Sequence, residues 1–246
     1  MTVDEAISTN ETILNADQET TTRFSSAEWF EKVQKMTVLI AGIGGIGSWL
    51  ALLVSRMRPK TLLLMDSDRV EKKNLAGQLY SIKDVYSTKV QALSNMIGNY
   101  SDYYNVMAIA ENFTEESEAY DIMICGFDNM AARKLYFRKW KEHVEKQEDK
   151  SKCLFIDGRL NAEKFQVISI VGDDSYSIER YENEFLFDDS AVEEPLCSLK
   201  QTTYCAAMIA SYMCNVLVNF ACNSVARPVV FFQEYDASFM GLKQIV

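Results

Sequence analysis

A glycine-rich run between an apolar segment and a helical pattern constrains this chain more than any other feature. Residues 41–48 read AGIGGIGS, which contains the spacing G-x-G-x-x-G. In such a run Gly42 permits a tight turn, Gly44 lets the backbone approach a phosphate, and Gly47 allows close packing of the helix. The start of the helix presents unpaired N–H groups and a partial positive charge to an anion. We therefore expect a phosphate-binding loop that consists of Gly42, Gly44, Gly45 and Gly47.

Strand-like and helix-like segments alternate around this loop. An apolar segment at 36–41 precedes it, a helical pattern at 46–58 follows it, and a second strand-like segment covers 61–65. This order within about thirty residues is the β-α-β unit of a parallel sheet. Further segments of the same kinds are a helix at 88–97 and strands at 106–110 and 121–125. The pattern predicts an α/β fold with a Rossmann-like, doubly wound mixed sheet.

The second half of the chain predicts more strands and a long apolar helix. The predicted elements are a helix at 129–147, strands at 153–157, 165–171 and 229–232, and an apolar helix at 201–221. Residues 173–194 hold nine carboxylates and one arginine, so they cannot form a core strand. We interpret them as an extended acidic crossover loop. A solvated connection without a special role is the alternative.

Length, charge and cysteine pattern limit the classes of protein to which the chain can belong. It has 246 residues, of which 48% are hydrophobic, enough for one domain at 23–246. Residues 1–22 are polar and predict a flexible arm. A net charge of −10 disfavours nucleic acid as a partner, because that affinity depends on Lys and Arg. The six cysteines form no C-x-x-C pair, so we expect reduced thiols in a cytoplasmic protein without zinc. No stretch is expected to span a membrane.

Asp66 follows the second predicted strand, about twenty residues after the glycine run. A carboxylate at that place accepts hydrogen bonds from ribose hydroxyls. A nucleotide with an unphosphorylated ribose is therefore the expected ligand. These residues suit a nicotinamide-dependent oxidoreductase and an ATP-dependent enzyme equally.

Two further motifs separate these possibilities. Residues 66–78 read DSDRVEKKNLAGQ and residues 128–133 read DNMAAR, with Lys89 between them. Together with the glycine run, they resemble the ThiF/HesA/MoeB adenylyltransferases of the ubiquitin-activating-enzyme superfamily, over about residues 23–240. The resemblance implies an ATP-dependent adenylyltransferase. Such an enzyme activates the C-terminal glycine carboxylate of a ubiquitin-like or sulfur-carrier protein as acyl-AMP.

The resemblance also implies a role for each matching residue. The implied nucleotide-binding residues, beyond the glycines, are Asp66, Asp68, Asn74, Gln78, Lys89 and Asp128. The implied catalytic residues are Asp128, Lys89, Arg23 and Cys197. Lys89 would contact phosphate and Asp128 would hold Mg²⁺, a metal that prefers few carboxylates and several waters. Two structural alternatives stay open, because Lys89 can be a solvated helix residue and Asp128 can cap a helix.

The chain departs from the family pattern at three places. The family commonly reads N-L-x-R-Q where Gly77 stands for the arginine, and Ser26 stands for an arginine near the N-terminus. That second arginine reaches the ATP of a partner subunit, so Arg23 is the candidate replacement in an expected homodimer. The paired zinc cysteines of many bacterial relatives are missing. A nucleotide-binding scaffold with weakened catalysis is therefore the first alternative, and an NAD-dependent oxidoreductase is the second.

Three further residues are reactive or charged enough to need an interpretation. Cys197 precedes the predicted apolar helix, as does a family cysteine that takes the acyl group as a thioester or persulfide in some members. Its alternative is a small residue at a helix start. His143, the only histidine, lies on a charged helix face and is predicted to be solvated rather than catalytic. Arg159 either contacts phosphate or substrate, or pairs with a nearby acid.

Overall fold

The structure, a computed structural model, describes residues 20–187 and 201–245. Eight strands form one sheet: β1 Thr37–Ala41, β2 Thr61–Met65, β3 Val106–Ile109, β4 Ile122–Cys125, β5 Leu154–Asn161, β6 Lys164–Val171, β7 Phe232–Asp236 and β8 Gly241–Ile245. Their spatial order is β3-β2-β1-β4-β5-β6-β7-β8. The first five strands in this order are parallel, and β6, β7 and β8 are added by antiparallel pairing. The predicted mixed sheet is confirmed.

Helices cover both faces of this sheet. The α-helices in the described residues are α1 Phe30–Val33, α2 Gly45–Arg56, α3 Lys89–Ser101, α4 Met130–Val144, α5 Ser175–Arg180 and α6 Thr203–Cys222. Short 3-10 helices cover Lys72–Ala76, Ile82–Asp84 and Lys150–Lys152, and a π-helix covers Tyr181–Phe185. Buried residues of α2, α3 and α6 form the core on one face, and those of α4 and the π-helix form the core on the other. This arrangement confirms the doubly wound fold.

The carboxyl ends of the parallel strands meet at one edge of the sheet. Ala41 at the end of β1 pairs with Met65 of β2 on one side and with Cys125 of β4 on the other. Cys125 in turn pairs with Asp157 of β5. The loops that follow β1, β2 and β4 therefore enter the same crevice. In open α/β sheets, this is the place where ligands bind.

Helix α6 is apolar because it lies in the core. By length and composition it is long and apolar enough to cross a membrane, contrary to the expectation from the sequence that no stretch would be. In the fold, half of this stretch is buried, and Ile209 and Met213 are fully buried against α2 and the sheet. Cys205 and Cys222 are buried on the same helix, and Cys214 is partly buried.

The prediction of an extended acidic loop is wrong for residues 173–187. This part forms α5 and the π-helix. Asp174 caps α5, and Lys141 of α4 pairs with Glu182 at 2.7 Å. Tyr181 is fully buried and anchors the turn to α4. A cation on a different helix and one buried aromatic ring make helix possible here, and neither is visible in the local sequence. Residues 188–194 lie outside the described residues.

The C-terminal strands also differ from the prediction. β7 covers Phe232–Asp236 rather than 229–232, and β8 was not predicted. The two strands form a hairpin in which the N–H of Ser238 donates to the Asp236 carboxylate at 3.0 Å. Pairing with β6 decides where β7 lies, and β8 includes polar residues such as Lys243. Apolar content alone therefore locates neither strand.

The boundary between the predicted arm and the domain is only partly covered. Residues 1–19 lie outside the described residues, and the flexible arm stays a prediction there. Thr21 is 2% exposed, so the described fold already includes residues just before Arg23. Phe24 then stacks on Trp29 with ring centroids 5.6 Å apart.

Candidate active site

The glycine run forms the tight turn between β1 and α2. Gly42 has φ +83°, and a Cβ atom there would lie 2.6 Å from the carbonyl carbon of Gly126. A Cβ atom on Gly47 would lie 2.1 Å from the carbonyl oxygen of Gly42, so the helix touches the loop. Gly44 is the N-cap of α2, and no side chain in the described part of the chain caps this helix. The first N–H groups of α2, from Gly45 onward, are therefore not taken by a side-chain cap, which suits a bound phosphate.

Asp66 and Lys89 connect this loop to β2 and α3. The Asp66 carboxylate accepts hydrogen bonds from the N–H of Ile43 at 2.7 Å and from the N–H of Asp68 at 2.8 Å. The Nζ of Lys89 donates to the Asp68 carboxylate at 2.7 Å and lies 3.8 Å from Asp66 Oδ2. Only 7% of the Lys89 side chain and 10% of the Asp66 side chain are exposed. The alternative that Lys89 is a solvated helix residue is therefore wrong.

The position of Lys89 at a helix start is unusual for a cation. Lys89 is the first residue of α3, where the partial positive charge of the helix end disfavours a second positive charge. The carboxylates of Asp66 and Asp68 offset this effect. The Asp68 side chain is 66% exposed, so its carboxylate is also accessible to water. Lys89 is thus held beside the glycine loop by the exposed carboxylate of Asp68.

The segment from Asn74 to Tyr80 is fixed near the glycine turn. The Oδ1 of Asn74 accepts from the N–H of Glu71 at 2.7 Å and closes a 3-10 helix. The hydroxyl of Tyr80 donates to the carbonyl oxygen of Ile43 at 2.7 Å. Burial, with a contribution from Asp66, raises the pKa of Tyr80 well above its usual value, so the hydroxyl stays a donor. The oxygen of Asn74 therefore has a local structural task, which leaves its amide N–H groups for a ligand.

Two glutamine side chains lie over the start of α2. The Nε2 of Gln78 is 3.9 Å from the Cβ position of Gly44, and its Oε1 is buried without a hydrogen-bond partner in residues 20–187 and 201–245. Gln201, at the entry to α6, comes closer still. A Cβ atom on Gly45 would lie 1.9 Å from its Oε1, and a Cβ atom on Gly77 would lie 2.6 Å from its Nε2. Sequence reasoning missed Gln201, because no local pattern distinguishes it from an ordinary polar residue before a helix.

Asp128 lies after β4, in the loop that touches the glycine turn. The N–H of Gly126 in this loop donates to the carbonyl oxygen of Ala41 at 2.8 Å. Helix α4 is capped by Asn129, whose Oδ1 accepts from the N–H of Ala132 at 2.8 Å. The alternative that Asp128 is the N-cap is therefore wrong. Its exposed carboxylate stands at the crevice without a capping task.

The buried side chain of Arg133 binds the loop that follows β4. Arg133 donates to the carbonyl oxygen of Phe127 and forms an ion pair with Asp157, which is fully buried. The same carboxylate accepts from Arg159 Nε at 2.7 Å and from the Tyr181 hydroxyl at 2.9 Å. Burial lowers the pKa of Arg133 and raises that of Tyr181. Arg159 thus pairs with an acid, one of the two alternatives that the sequence left open.

Comparison with known families identifies this arrangement. Residues 17–245 match the family described as the ThiF family, which is almost the whole chain. The chain belongs to the ThiF family. The resemblance seen in the glycine run and the two later motifs is thereby confirmed.

The curated relatives match over part of their length. Ubiquitin-like modifier-activating enzyme 5 of Gallus gallus is 30% identical over 122 residues, which are 42% of this chain and 30% of that protein. A tRNA threonylcarbamoyladenosine dehydratase of Bacillus subtilis (strain 168) is 31% identical over 91 residues, 37% of this chain and 36% of that protein. The matches thus span about a third of the length of these relatives.

Solved structures show the same fold. The structure titled "Crystal Structure of SeMet PaaA" superposes with a TM-score of 0.69 at 18% identity, and covers 100% of this chain and 74% of that chain. E. coli MccB, in a structure titled with ATP, superposes with a TM-score of 0.65 at 14% identity, covering 89% of this chain and 65% of that chain. At these identities the likeness shows the shared ThiF-type, Rossmann-like fold.

Within this ThiF-family domain, Arg23 lies far from the glycine loop. It is exposed and precedes α1, whose Lys32 donates to the carbonyl oxygen of Cys222 at 3.0 Å. Cys222 ends α6, whereas Gln201 stands just before its start. A helix of 20 residues is about 30 Å long, so the two ends are far apart. A catalytic role for Arg23 would require a second chain, and it stays a prediction.

Two other predicted residues have different outcomes. Cys197 lies outside the described residues, so its acylation stays a prediction. His143 is only partly solvated, because its Nε2 lies 2.8 Å from Asp121 Oδ1 and 23% of its side chain is exposed. Asp121 comes just before β4, so this ion pair lies at the edge of the sheet opposite the crevice. His143 is therefore remote from the candidate site.

Proposed function

We propose that this chain is an ATP-dependent adenylyltransferase that activates the C-terminal glycine carboxylate of a ubiquitin-like or sulfur-carrier protein. The observation that carries this proposal is the meeting of an uncapped glycine loop, the buried Lys89 and the exposed Asp128 at one edge of a ThiF-family sheet. The names of relatives support it, since one is a ubiquitin-like modifier-activating enzyme and another is an adenylyltransferase and sulfurtransferase. Both matched relatives are longer than the aligned part.

The proposed reaction is a displacement at the α-phosphorus of ATP. A carboxylate oxygen of the carrier forms a bond to this phosphorus, the bond to the bridging oxygen breaks, and pyrophosphate leaves with the electron pair. The products are acyl-AMP and pyrophosphate. Charge develops on the phosphate oxygens, and preorganised N–H groups and cations stabilise it. In this chain the N–H groups at the start of α2 and the ammonium of Lys89 are placed to do so.

Asp66 has a double task in this proposal. Two backbone N–H groups already bind its carboxylate, which fixes the glycine turn. Each carboxylate oxygen has a second lone pair, so the same group can accept a ribose hydroxyl. Asp68 would give up Lys89 when the phosphates arrive, because its own side chain is well exposed. Lys89 would then pair with phosphate instead of the Asp68 carboxylate.

Magnesium fits the residues at this edge. Mg²⁺ binds through one or two protein carboxylates and keeps several waters, and Asp128 offers one exposed carboxylate that caps no helix. Asp128 would hold the ion, and Arg133 would keep its loop in place through the carbonyl oxygen of Phe127. When bound, the ion would neutralise charge on the leaving pyrophosphate.

The proposal extends to partners and location. A net charge of −10 disfavours a tRNA substrate of the kind named in the Bacillus relative.

We also propose a homodimer in which Arg23 serves the site of the other subunit. We further propose a cytoplasmic location and acyl transfer to Cys197 as a second step. Light scattering tests the first point, since a dimer has twice the 28.0 kDa of one chain. A monomer at micromolar concentration would exclude the trans role of Arg23.

A nucleotide-binding scaffold is the competing function, and the glycine at position 77 is the feature that favours it. Pyrophosphate exchange into ATP in the presence of a carrier with a Gly-Gly end separates the two. The enzyme should exchange label only when the carrier is present, whereas a scaffold should bind ATP and exchange nothing. A Cys197→Ser variant should keep the exchange and lose any thioester.

The first experiment is calorimetric titration of Mg-ATP into the wild type and Asp128→Ala. We expect binding that weakens by at least about tenfold, or ~1.4 kcal/mol, in the variant. Asp173→Ala is the matched control, because this exposed acid follows β6 at the opposite edge of the sheet. Equal ATP affinity in both variants would contradict the role of Asp128. Binding of NADH without ATP would instead favour the oxidoreductase.

A further inference from the structure

The side chain of Gln201 fills a space that two glycines leave open. Its Oε1 would lie 1.9 Å from a Cβ atom on Gly45, and its Nε2 would lie 2.6 Å from a Cβ atom on Gly77. The entry of α6 is tied to this place, because Thr203 donates to the carbonyl oxygen of Ala76. Gln201 is therefore held between the start of α2 and the segment after β2.

The backbone does not require glycine at either position. Gly77 has φ −137°, a value that any residue adopts, and Gly45 lies in the first turn of an α-helix. The atoms nearest to both Cβ positions belong to the Gln201 side chain, so a larger residue at either position would have to displace it. The same contact accounts for the missing family arginine, since a long side chain at position 77 would compete with Gln201 for one space.

Among residues 20–187 and 201–245, no hydrogen-bond partner binds the partly exposed amide of Gln201. Beside it lie the first N–H groups of α2, which no described side chain caps, and the buried Oε1 of Gln78, which no described residue binds. A buried unpaired oxygen such as that of Gln78 is costly unless a donor from a ligand or from water binds it. The Nε2 of Gln201 lies 3.2 Å from the Cβ position of Gly45, and a phosphate at the start of α2 would accept a hydrogen bond from its N–H groups.

We propose that the Gln201 side-chain amide donates a hydrogen bond to the phosphates of the bound nucleotide, and that Gly45 and Gly77 are glycines to admit it. This inference rests on the proposed ATP-binding function. Gln201 would thus contact the nucleotide although it lies just before α6, far from the glycine run in sequence. Gln201 contributes an uncharged hydrogen-bond donor at the place where the family arginine of position 77 would otherwise lie. The site then depends on Lys89 and the metal for its positive charge.

Calorimetric titration with ATP and with adenosine tests the proposal. We expect Gln201→Ala to weaken ATP binding by about 3- to 10-fold, because a neutral hydrogen bond contributes about 0.5–1.5 kcal/mol. Gln201→Glu should weaken it further, by at least about tenfold, because a carboxylate repels phosphate. Adenosine binding should stay within about twofold in both variants. Gln91→Glu, on the exposed face of α3, is the matched control for the added charge.

A substitution at position 77 keeps the test independent of any folding defect at Gln201. Gly77→Arg should displace the flexible amide and weaken ATP binding. The double variant Gly77→Arg with Gln201→Ala should bind ATP more tightly than Gly77→Arg alone, because the arginine gains the vacated space. Thermal unfolding of each variant shows that the fold is intact.

The outcomes separate this inference from the function on which it rests. Wild-type protein that binds no ATP would overturn both. Wild-type protein that binds ATP while Gln201→Ala binds it equally well or more tightly would overturn the inference alone, since the amide would then be a bystander or an obstruction. ATP affinity that falls in Gln201→Glu no more than in Gln91→Glu would do the same.

Discussion

Replacement of Lys89 by methionine is the most informative single test of the site. The substitution keeps the length of the buried side chain, of which 7% is exposed, and removes its charge. The ammonium donates to Asp68 at 2.7 Å and lies 3.8 Å from Asp66. In the proposed complex it donates instead to phosphate. The variant therefore loses one charge-assisted hydrogen bond and leaves two carboxylates near the triphosphate.

The structure allows the size of this effect to be worked out. A hydrogen bond to a charged group contributes about 1.5–3 kcal/mol, which corresponds to about 10- to 150-fold in ATP affinity. Stability should change less, by about 1 kcal/mol. Asp68 can turn to water, and Asp66 keeps its two backbone N–H donors. Adenosine, which lacks phosphate, should bind to the variant and the wild type alike.

The assay is calorimetry with ATP and adenosine, accompanied by urea unfolding. Lys83→Met is the matched control, because Lys83 is an exposed lysine of the nearby 3-10 helix Ile82–Asp84. If Lys89→Met and Lys83→Met bind ATP within about twofold of each other, Lys89 does not contact phosphate and the reasoning is refuted. If adenosine binding falls as much as ATP binding, the substitution has damaged the whole pocket instead.

Three further predictions concern stability. Gly42→Ala should unfold more easily by at least about 2 kcal/mol, because its φ is +83° and its Cβ would meet backbone at 2.6 Å, whereas Gly241→Ala, with nothing within 4 Å, should stay within about 0.5 kcal/mol. Asp157→Asn should lose about 3–5 kcal/mol in urea unfolding, since it leaves Arg133 as an uncompensated buried charge, and a loss below about 1 kcal/mol would show that water reaches the site. Burial raises the pKa of Cys153 from 9.0 to about 12, so the native thiol binds its proton more tightly than the unfolded one. The stability from this thiol is present below about pH 9 and is lost as the pH rises toward 12, so Cys153→Ser should show a shallower alkaline decline than the wild type, and identical declines would contradict the shift.

Much of the site can be predicted from the sequence because its parts are local. The glycine run needs only its own spacing to form a turn, and Asp66 needs only to follow the next strand. Parallel strands then bring both to one edge without any further information. The same logic places Asp128 after β4. The side-chain contacts around these residues could not be predicted. The contact of Lys89 with Asp68 and the capping role of Asn129 depend on side-chain geometry.

The sequence by itself determined the class of fold and the edge at which a nucleotide would bind, because periodicity and glycine spacing act within a few residues. Only the tertiary structure decided what surrounds that edge. Gln201 reaches Gly77 across more than a hundred residues, and Arg133 meets Asp157 from a different element. The acidic segment after β6 is held on α4 by the buried Tyr181 and by the ion pair of Lys141 with Glu182. Such contacts join elements that are distant in sequence, so they exist only after the sheet has brought these elements together.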